Sequence, residues 1–226
     1  LISDAYIKRR AAEVNPMGIS QLDHVVPGLE SPNTTHFSII DAEGNAVSNT
    51  YTINWSYGTG VIVEGAGFLL NNEMDDFSAK PGVPNVYGVV GNTANEIQPG
   101  KRMLSSMSPT ILLKNDKVSM VIGTPGGSTI FTSVFQAIIN ILDFDMSPLQ
   151  AVGATRFHHQ LSPPDLITQS PSLPLPSKTI SELEQRGYRV EPRSWEFGDI
   201  QVIWIGEEGI IPASDPRDRG VSKVLT

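Results

Sequence analysis

The sequence predicts an α+β domain in which two layers of mostly antiparallel sheet are flanked by helices. Three observations carry that prediction. Two runs rich in β-branched and aromatic residues fold back around clusters of turn formers, at His36 to Asn54 and at Pro109 to Gly123. From Ser128 to Leu142 the apolar residues recur three and four apart, as an amphipathic helix requires. Short apolar stretches after residue 187 then supply further strands.

Taken in order, Ala5 to Val14 reads as a helix with Lys8, Arg9, Arg10 and Glu13 on its wet side. Pro16, Gly18, Pro27, Gly28 and Pro32 make Asn15 to Asn33 an exposed connector. The first firm element is a β-hairpin beginning almost at Thr34 and turning at Asp41-Ala-Glu-Gly-Asn45. Gly58 to Gly67 leads to a short strand at Phe68 to Leu70, followed by the polar cluster Asn71 to Asp76. Residues 78 to 108 show no period, and a loop of that length is more often functional than idle. A second hairpin turns at Asn115-Asp116, and Thr124-Pro-Gly-Gly127 leads into the long helix. Ser147-Pro148 supplies an N-cap and a first-turn Pro for a helix through Ala154. Thr179 and Glu182 are spaced as a capping box for a third helix ending at Gly187. Strands at Tyr188 to Pro192, Ile200 to Gly206 and Gly209 to Pro212 complete the set.

Composition narrows the chemistry. With 226 residues, 39% hydrophobic and 18% charged, the chain can bury a core as one large domain or two small ones. A formal net charge of −8 opposes general binding to nucleic acid or an anionic membrane. The absence of Cys excludes disulfides, thiolate-held metals and a thiol nucleophile. The longest apolar stretch, Ile130 to Leu142, is interrupted by Thr132, Ser133, Gln136 and Asn140 and is too short to span a membrane, so a soluble chain is expected. Leu1 opens no charged and then apolar leader, so no signal peptide is expected here, and the missing initiator Met suggests a portion upstream. Of four His, His24 and His36 are isolated, while the adjacent His158 and His159 would point to opposite faces of a strand, which disfavours a shared metal.

One feature remains. Asn33-Thr34-Thr35-His36 places a Thr pair between an exposed connector and the first strand. A Thr hydroxyl needs a base beside it, and the nearest is its own α-amine once the preceding peptide bond is cut. That amine has a reference pKa of about 7.7–8.0, so a neutral fraction exists near pH 7 without any His. Read alone, a Thr pair at this place is more often β-propensity and a strand cap, Gly126-Gly127 an ordinary strand-to-helix turn, Asn71 to Asp76 a solvated acidic turn and Ser105-Ser106 plain loop.

Several runs together carry a resemblance: Thr34-Thr-His-Phe-Ser-Ile-Ile-Asp41, Thr50-Tyr-Thr-Ile-Asn54, Leu69-Leu-Asn-Asn72, Met74-Asp-Asp-Phe-Ser78, Ser105-Ser-Met-Ser-Pro109, Pro125-Gly-Gly127 and Ala213-Ser-Asp-Pro-Arg217. In this order they resemble the small subunit of gamma-glutamyltranspeptidase, with residues 1 to 33 similar to the tail of the large subunit and 34 to 226 to the catalytic small subunit. The resemblance implies an N-terminal nucleophile hydrolase, a four-layer αββα sandwich, partial here because most of the large subunit is absent, made as a precursor that cuts itself at Asn33–Thr34. It implies Thr34 as nucleophile, Thr52 as the second Thr that helps activate it, and Gly126 and Gly127 as the oxyanion hole. It further implies Asn54, Glu73 and Asp76 as binders of a substrate α-amine and Ser105 and Ser106 as binders of its α-carboxylate.

The activity implied is transfer or hydrolysis of the γ-glutamyl group of glutathione and related amides, with water, an amino acid or a peptide as acceptor. No cofactor and no metal are implied. The partner implied is the large subunit of the same precursor, which in this family carries the carboxylate-binding Arg. A periplasmic, secreted or cell-surface location is implied by the family alone. Two alternatives stay open: a cephalosporin or glutaryl acylase or poly-γ-glutamate processing enzyme on the same scaffold, and an unprocessed, non-catalytic homologue. Trp55 and Tyr57 are bulkier than many relatives show beside Asn54, which bears on acceptor preference.

Overall fold

Thr34–Ile40 (β1) and Ala46–Thr52 (β2) pair antiparallel, in unbroken register from Thr34 opposite Thr52 to Ile40 opposite Ala46. The turn between them is tied by Asp41, whose Oδ1 accepts the N–H groups of Glu43 and Asn45 at 2.9 and 2.8 Å. Because side chains alternate along a strand, Thr34, His36 and Ser38 share one face with Ser48, Thr50 and Thr52. Phe37, Ile39, Val47 and Tyr51 occupy the other. The computed structural model describes residues 34–160, 163–217 and 220–225, with Ala5, Lys8 and Ala12.

The polar face of the hairpin lies on a four-stranded antiparallel sheet of order β3-β4-β8-β9: Thr110–Lys114 (β3), Lys117–Gly123 (β4), Gln201–Gly206 (β8) and Gly209–Ser214 (β9). Ser48 Oγ donates to the Ile122 carbonyl at 3.0 Å across this interface. The β3–β4 turn is the Asn115-Asp116 pair, both with positive φ (53° and 60°), as a two-residue hairpin loop demands. The opposite face is covered by Ile130–Leu142 (α1) and Pro148–Gly153 (α2). Ile130, Val134, Ala137 and Ile141 of α1 are buried, which is the expected stripe. Val134, Ala137 and Ile141 build one core with Met120, Ile122, Val152, Ile200 and Val202. Ser147 caps α2 in a capping box with Gln150, with Pro148 in the first turn.

Sheet, sheet and helices thus follow one another as three successive layers, and among the described residues nothing covers the apolar face of the hairpin, where Ile39 is 51% and Tyr51 56% exposed. Arg156, 2% exposed, pairs with the equally buried Asp215, whose other oxygen is held by Arg217; Arg217 also caps the Val152 and Ala154 carbonyls. This network pins the end of β9 to the end of α2, so the terminal Asp-Pro-Arg motif is structural here.

The structure corrects several expectations. Phe68 to Leu70 forms no strand: Ile62 and Leu69 make a single bridge, because Gly58, Gly60, Gly65 and Gly67 all hold positive φ and the chain keeps turning. The third helix, Ser177–Gln185 (α3), starts two residues early, after Pro176, with no side-chain cap, so the Thr179 and Glu182 spacing falls inside it. Phe157–His159 (β5) and Leu166–Gln169 (β6) went unread, since three and four residues around Pro163-Pro164 give no periodicity. They join Arg189–Pro192 (β7) in a third sheet, β5-β6-β7, whose β6–β7 pair is parallel.

By contact the chain divides into Leu1–Ser31 and Pro32–Thr226. In the first unit Ala5, Lys8 and Ala12 are helical. The rest of the expected Ala5 to Val14 helix, the connector to Asn33 and His24 lie outside the described residues.

Candidate active site

Register places the two threonines. Thr34 opens β1 and Thr52 closes β2 directly opposite, and Thr34 Oγ1 donates to Thr52 Oγ1 at 3.2 Å. Thr52 Oγ1 also accepts the Asn54 N–H at 2.8 Å. Asn54 is 5% exposed and holds φ = 74°, a conformation Asn tolerates better than most residues. Its Nδ2 donates to the Asn72 carbonyl at 3.1 Å, and its Oδ1 accepts the Tyr87 hydroxyl at 2.7 Å. The end of the hairpin is thereby tied both to the polar cluster and to the long loop.

That polar cluster forms a single 3₁₀ turn, Glu73–Asp76. Burial raises the Glu73 carboxyl to about 7, and its hydrogen bond to Asp76 and the charge there add to the effect. Burial also raises Asp76, with the Asp75 charge contributing. Two carboxyls therefore meet at the site and hold a proton near neutrality.

Gly126 (φ = 141°) and Gly127 (φ = 58°) make the bend from β4 to α1, a path open to glycine alone at little cost. A 3₁₀ turn, Gly127–Thr129, runs directly into α1, so the backbone N–H groups at the bend carry the positive end of the helix. A Cβ on Gly127 would stand 3.0 Å from the Tyr87 ring.

The chain brings Thr34, Thr52, Asn54, Asp76, Ser105, Ser106 and Gly127 around one cleft. Its open space is about 20 Å³, room for one water-sized group. Glu73 stands behind Asp76, and Gly126 one residue behind Gly127. Three further lining residues were missed by sequence reasoning: Tyr87, Met107 and Ile130. Tyr87 sits in the aperiodic loop, where the only available signal was loop length. The Tyr87 hydroxyl is pushed up to about 12 by burial and by the carboxylates at 73, 75 and 76, so it is a neutral donor.

The three described histidines stand apart from this cleft. His36 bonds Thr50 (2.7 Å) and Ser38 (3.0 Å), and burial lowers it to about 4, so it is a neutral inter-sheet group. His158 bonds Thr132 and Gln160, whereas His159 bonds the Pro164 carbonyl and meets the Tyr188 ring, on the opposite side as expected. Among the described residues no cluster of His, Asp and Glu is arranged to hold a metal.

The sequence profile for gamma-glutamyltranspeptidase matches residues 1–225. The chain belongs to the gamma-glutamyltranspeptidase family. It is 59% identical over 225 residues to the glutathione hydrolase proenzyme of Pseudomonas aeruginosa, taking up 100% of this chain and 40% of that protein. To the glutathione hydrolase proenzyme of Escherichia coli it is 45% identical over 222 residues, 96% of this chain and 38% of that one. The chain thus spans about two fifths of the length of these curated relatives. In three dimensions it matches gamma-glutamyltranspeptidase from Pseudomonas nitroreducens complexed with L-DON, with a TM-score of 0.81 and 57% identity, over 85% of this chain and 100% of that one.

Proposed function

We propose that this chain is the catalytic portion of a γ-glutamyl transferase and hydrolase whose nucleophile is Thr34, freed as a new N-terminus by cleavage at Asn33–Thr34. The observation that carries the reading is the 3.2 Å contact between Thr34 and Thr52 at the end of the hairpin, in a cleft shared with Gly127, Asp76, Ser105 and Ser106. The matched Pseudomonas nitroreducens chain, covered over 100% of its length by 85% of this one, adds support, since the stretch from Thr34 onward is the same share of this sequence.

In this mechanism the neutral α-amine of Thr34 takes the Oγ proton as that oxygen attacks the γ-carbonyl of a γ-glutamyl amide. The Gly126 and Gly127 N–H groups hold the oxyanion, helped by the helix start behind them. The amine then passes its proton to the departing amine as the C–N bond breaks, leaving a γ-glutamyl ester on Thr34. Water or an acceptor amine, deprotonated by the same group, attacks that ester and restores the hydroxyl. Thr52 orients the attacking oxygen. Asp76, Glu73 and Asn54 accept from the substrate ammonium, while Ser105 and Ser106 donate to its α-carboxylate. Seating this head group in so narrow a cleft requires the lining loops to open.

The reading includes a partner: the large subunit of the same precursor, covering the open apolar face of the hairpin. A free α-amino acid head group, rather than a plain diacid, is favoured by the acidic pair beside Asn54, which has no use for a glutaryl group.

Thr34→Ala and Thr34→Ser in the full-length precursor test this. Thr34→Ala is expected to stay a single chain on a denaturing gel and to release no p-nitroaniline from γ-glutamyl-p-nitroanilide, while Thr34→Ser keeps both activities at a lower rate. Normal cleavage of Thr34→Ala, or a mature chain that begins elsewhere by N-terminal sequencing, overturns the assignment.

A further inference from the structure

A second cavity, of about 190 Å³, lies directly beside the cleft, with Tyr87 lining both. Its other lining groups include Ser128, the residue after Gly127, and His158, Gln160, Thr168 and Arg193. Arg193 follows β7 and is anchored through its own N–H, which donates to the Gln169 carbonyl at 3.0 Å. Its guanidinium is stacked on two rings, 5.2 Å from the centre of Trp195 and 5.0 Å from that of the fully buried Phe197. Stacking orients the fork of donors but satisfies none of them.

No carboxylate among the described residues meets that fork. Burial lowers the pKa of Arg193, with no neighbouring carboxylate contributing to the shift. Glu196, three residues further along the chain, is engaged by Ser170 Oγ and the Ser172 N–H instead. His158 is lowered by burial, with the Arg193 charge contributing, and so remains neutral. Gln160 is committed between His158 and the Tyr87 carbonyl, which fixes the wall shared with the cleft. The cavity therefore combines one oriented, half-buried cation with the Ser128 hydroxyl and, among the described residues, no anion, an arrangement that costs free energy until a carboxylate arrives.

We propose that the Arg193 cavity is a carboxylate subsite for the far side of the reaction, seating the free carboxylate of the leaving or accepting amino acid or short peptide. The inference rests on the proposed γ-glutamyl chemistry. There, the head-group carboxylate and amine are already provided for by Ser105, Ser106, Asp76 and Asn54, and only the group across the scissile bond still carries an unmatched anion. Arg193 would offer it a bidentate pair of donors.

The test compares glycylglycine with glycylglycinamide as acceptors for the matured full-length protein, with γ-glutamyl-p-nitroanilide as donor. The acid is expected to have a KM about tenfold or more below that of the amide, as a charge-assisted pair predicts, and Arg193→Gln to bring the two together. Equal KM values for acid and amide, or a loss in Arg193→Gln that falls equally on both, overturn the subsite. Trp195 fluorescence in Thr34→Ala protein reads the same cavity without turnover. A saturable change is expected at about tenfold or more lower concentration with glycylglycine than with its amide, and identical responses reject the proposal. Donor hydrolysis without acceptor tests the underlying chemistry separately, so the two can fail independently.

Discussion

Glu73 and Asp76 meet at the cleft with no Lys or Arg among the described residues to separate their charges. Glu73, raised to about 7 by burial and then by Asp76, is largely protonated below neutrality and accepts poorly from an ammonium there. The sign follows: as pH falls through 7 the pair loses negative charge and donor binding weakens; as pH rises, binding recovers. KM for γ-glutamyl-p-nitroanilide is therefore expected to climb by up to about tenfold per pH unit below 7, the limit set by one titrating group. Glu73→Gln, which keeps an acceptor oxygen but cannot titrate, should flatten that rise; an unchanged slope in the variant would rule out Glu73 as its source. The acidic residues were legible as a cluster in the sequence, but their shared proton was not, because it depends on burial that spacing does not encode.

Among the elements, the β1–β2 hairpin and β4 lock together through His36 and Gly123. A Cβ at Gly123 would stand 2.2 Å from the His36 ring, in a layer where the ring is already held by Thr50 and Ser38. Gly123→Ala is expected to lower stability by about 1–3 kcal/mol, the usual penalty for overpacking. Urea unfolding should show this as a lower midpoint, and a midpoint equal to the parent's would mean that the layers separate easily. Both hairpins were readable from turn residues and β-branched runs, as were α1 and the Ser147 N-cap of α2 with its first-turn Pro148. The short β5 and β6 were not, because their pairing is set by long-range contact with β7 rather than by local pattern. Tyr87 escaped for a related reason: nothing in a loop sequence states which wall it will form.

At the scale of the whole molecule the open surfaces dominate. Besides Ile39 and Tyr51 on the hairpin, Phe135 of α1 is 61% exposed and Phe144 just beyond it 68%. Apolar patches of this kind on a folded domain mark an interface. Residues 34–226 produced without the rest of the precursor are expected to bind anilinonaphthalene sulfonate strongly, with the fluorescence falling when both portions are made together. Weak dye binding by the separate portion would argue against a missing cover. Composition already excluded thiol chemistry and opposed nucleic-acid binding, and the resemblance implied an incomplete sandwich, whereas which face stays open needed coordinates. The hairpin adds one more consequence. Since its two faces differ so sharply, a slip of one rung would turn both hydroxyls toward the greasy exterior and bring phenylalanine and tyrosine inward. The Asp41 corner thus acts as a zipper stop for the proposed reaction centre: the pairing of Thr34 with Thr52 at one end of the ribbon depends on counting residues correctly at the other.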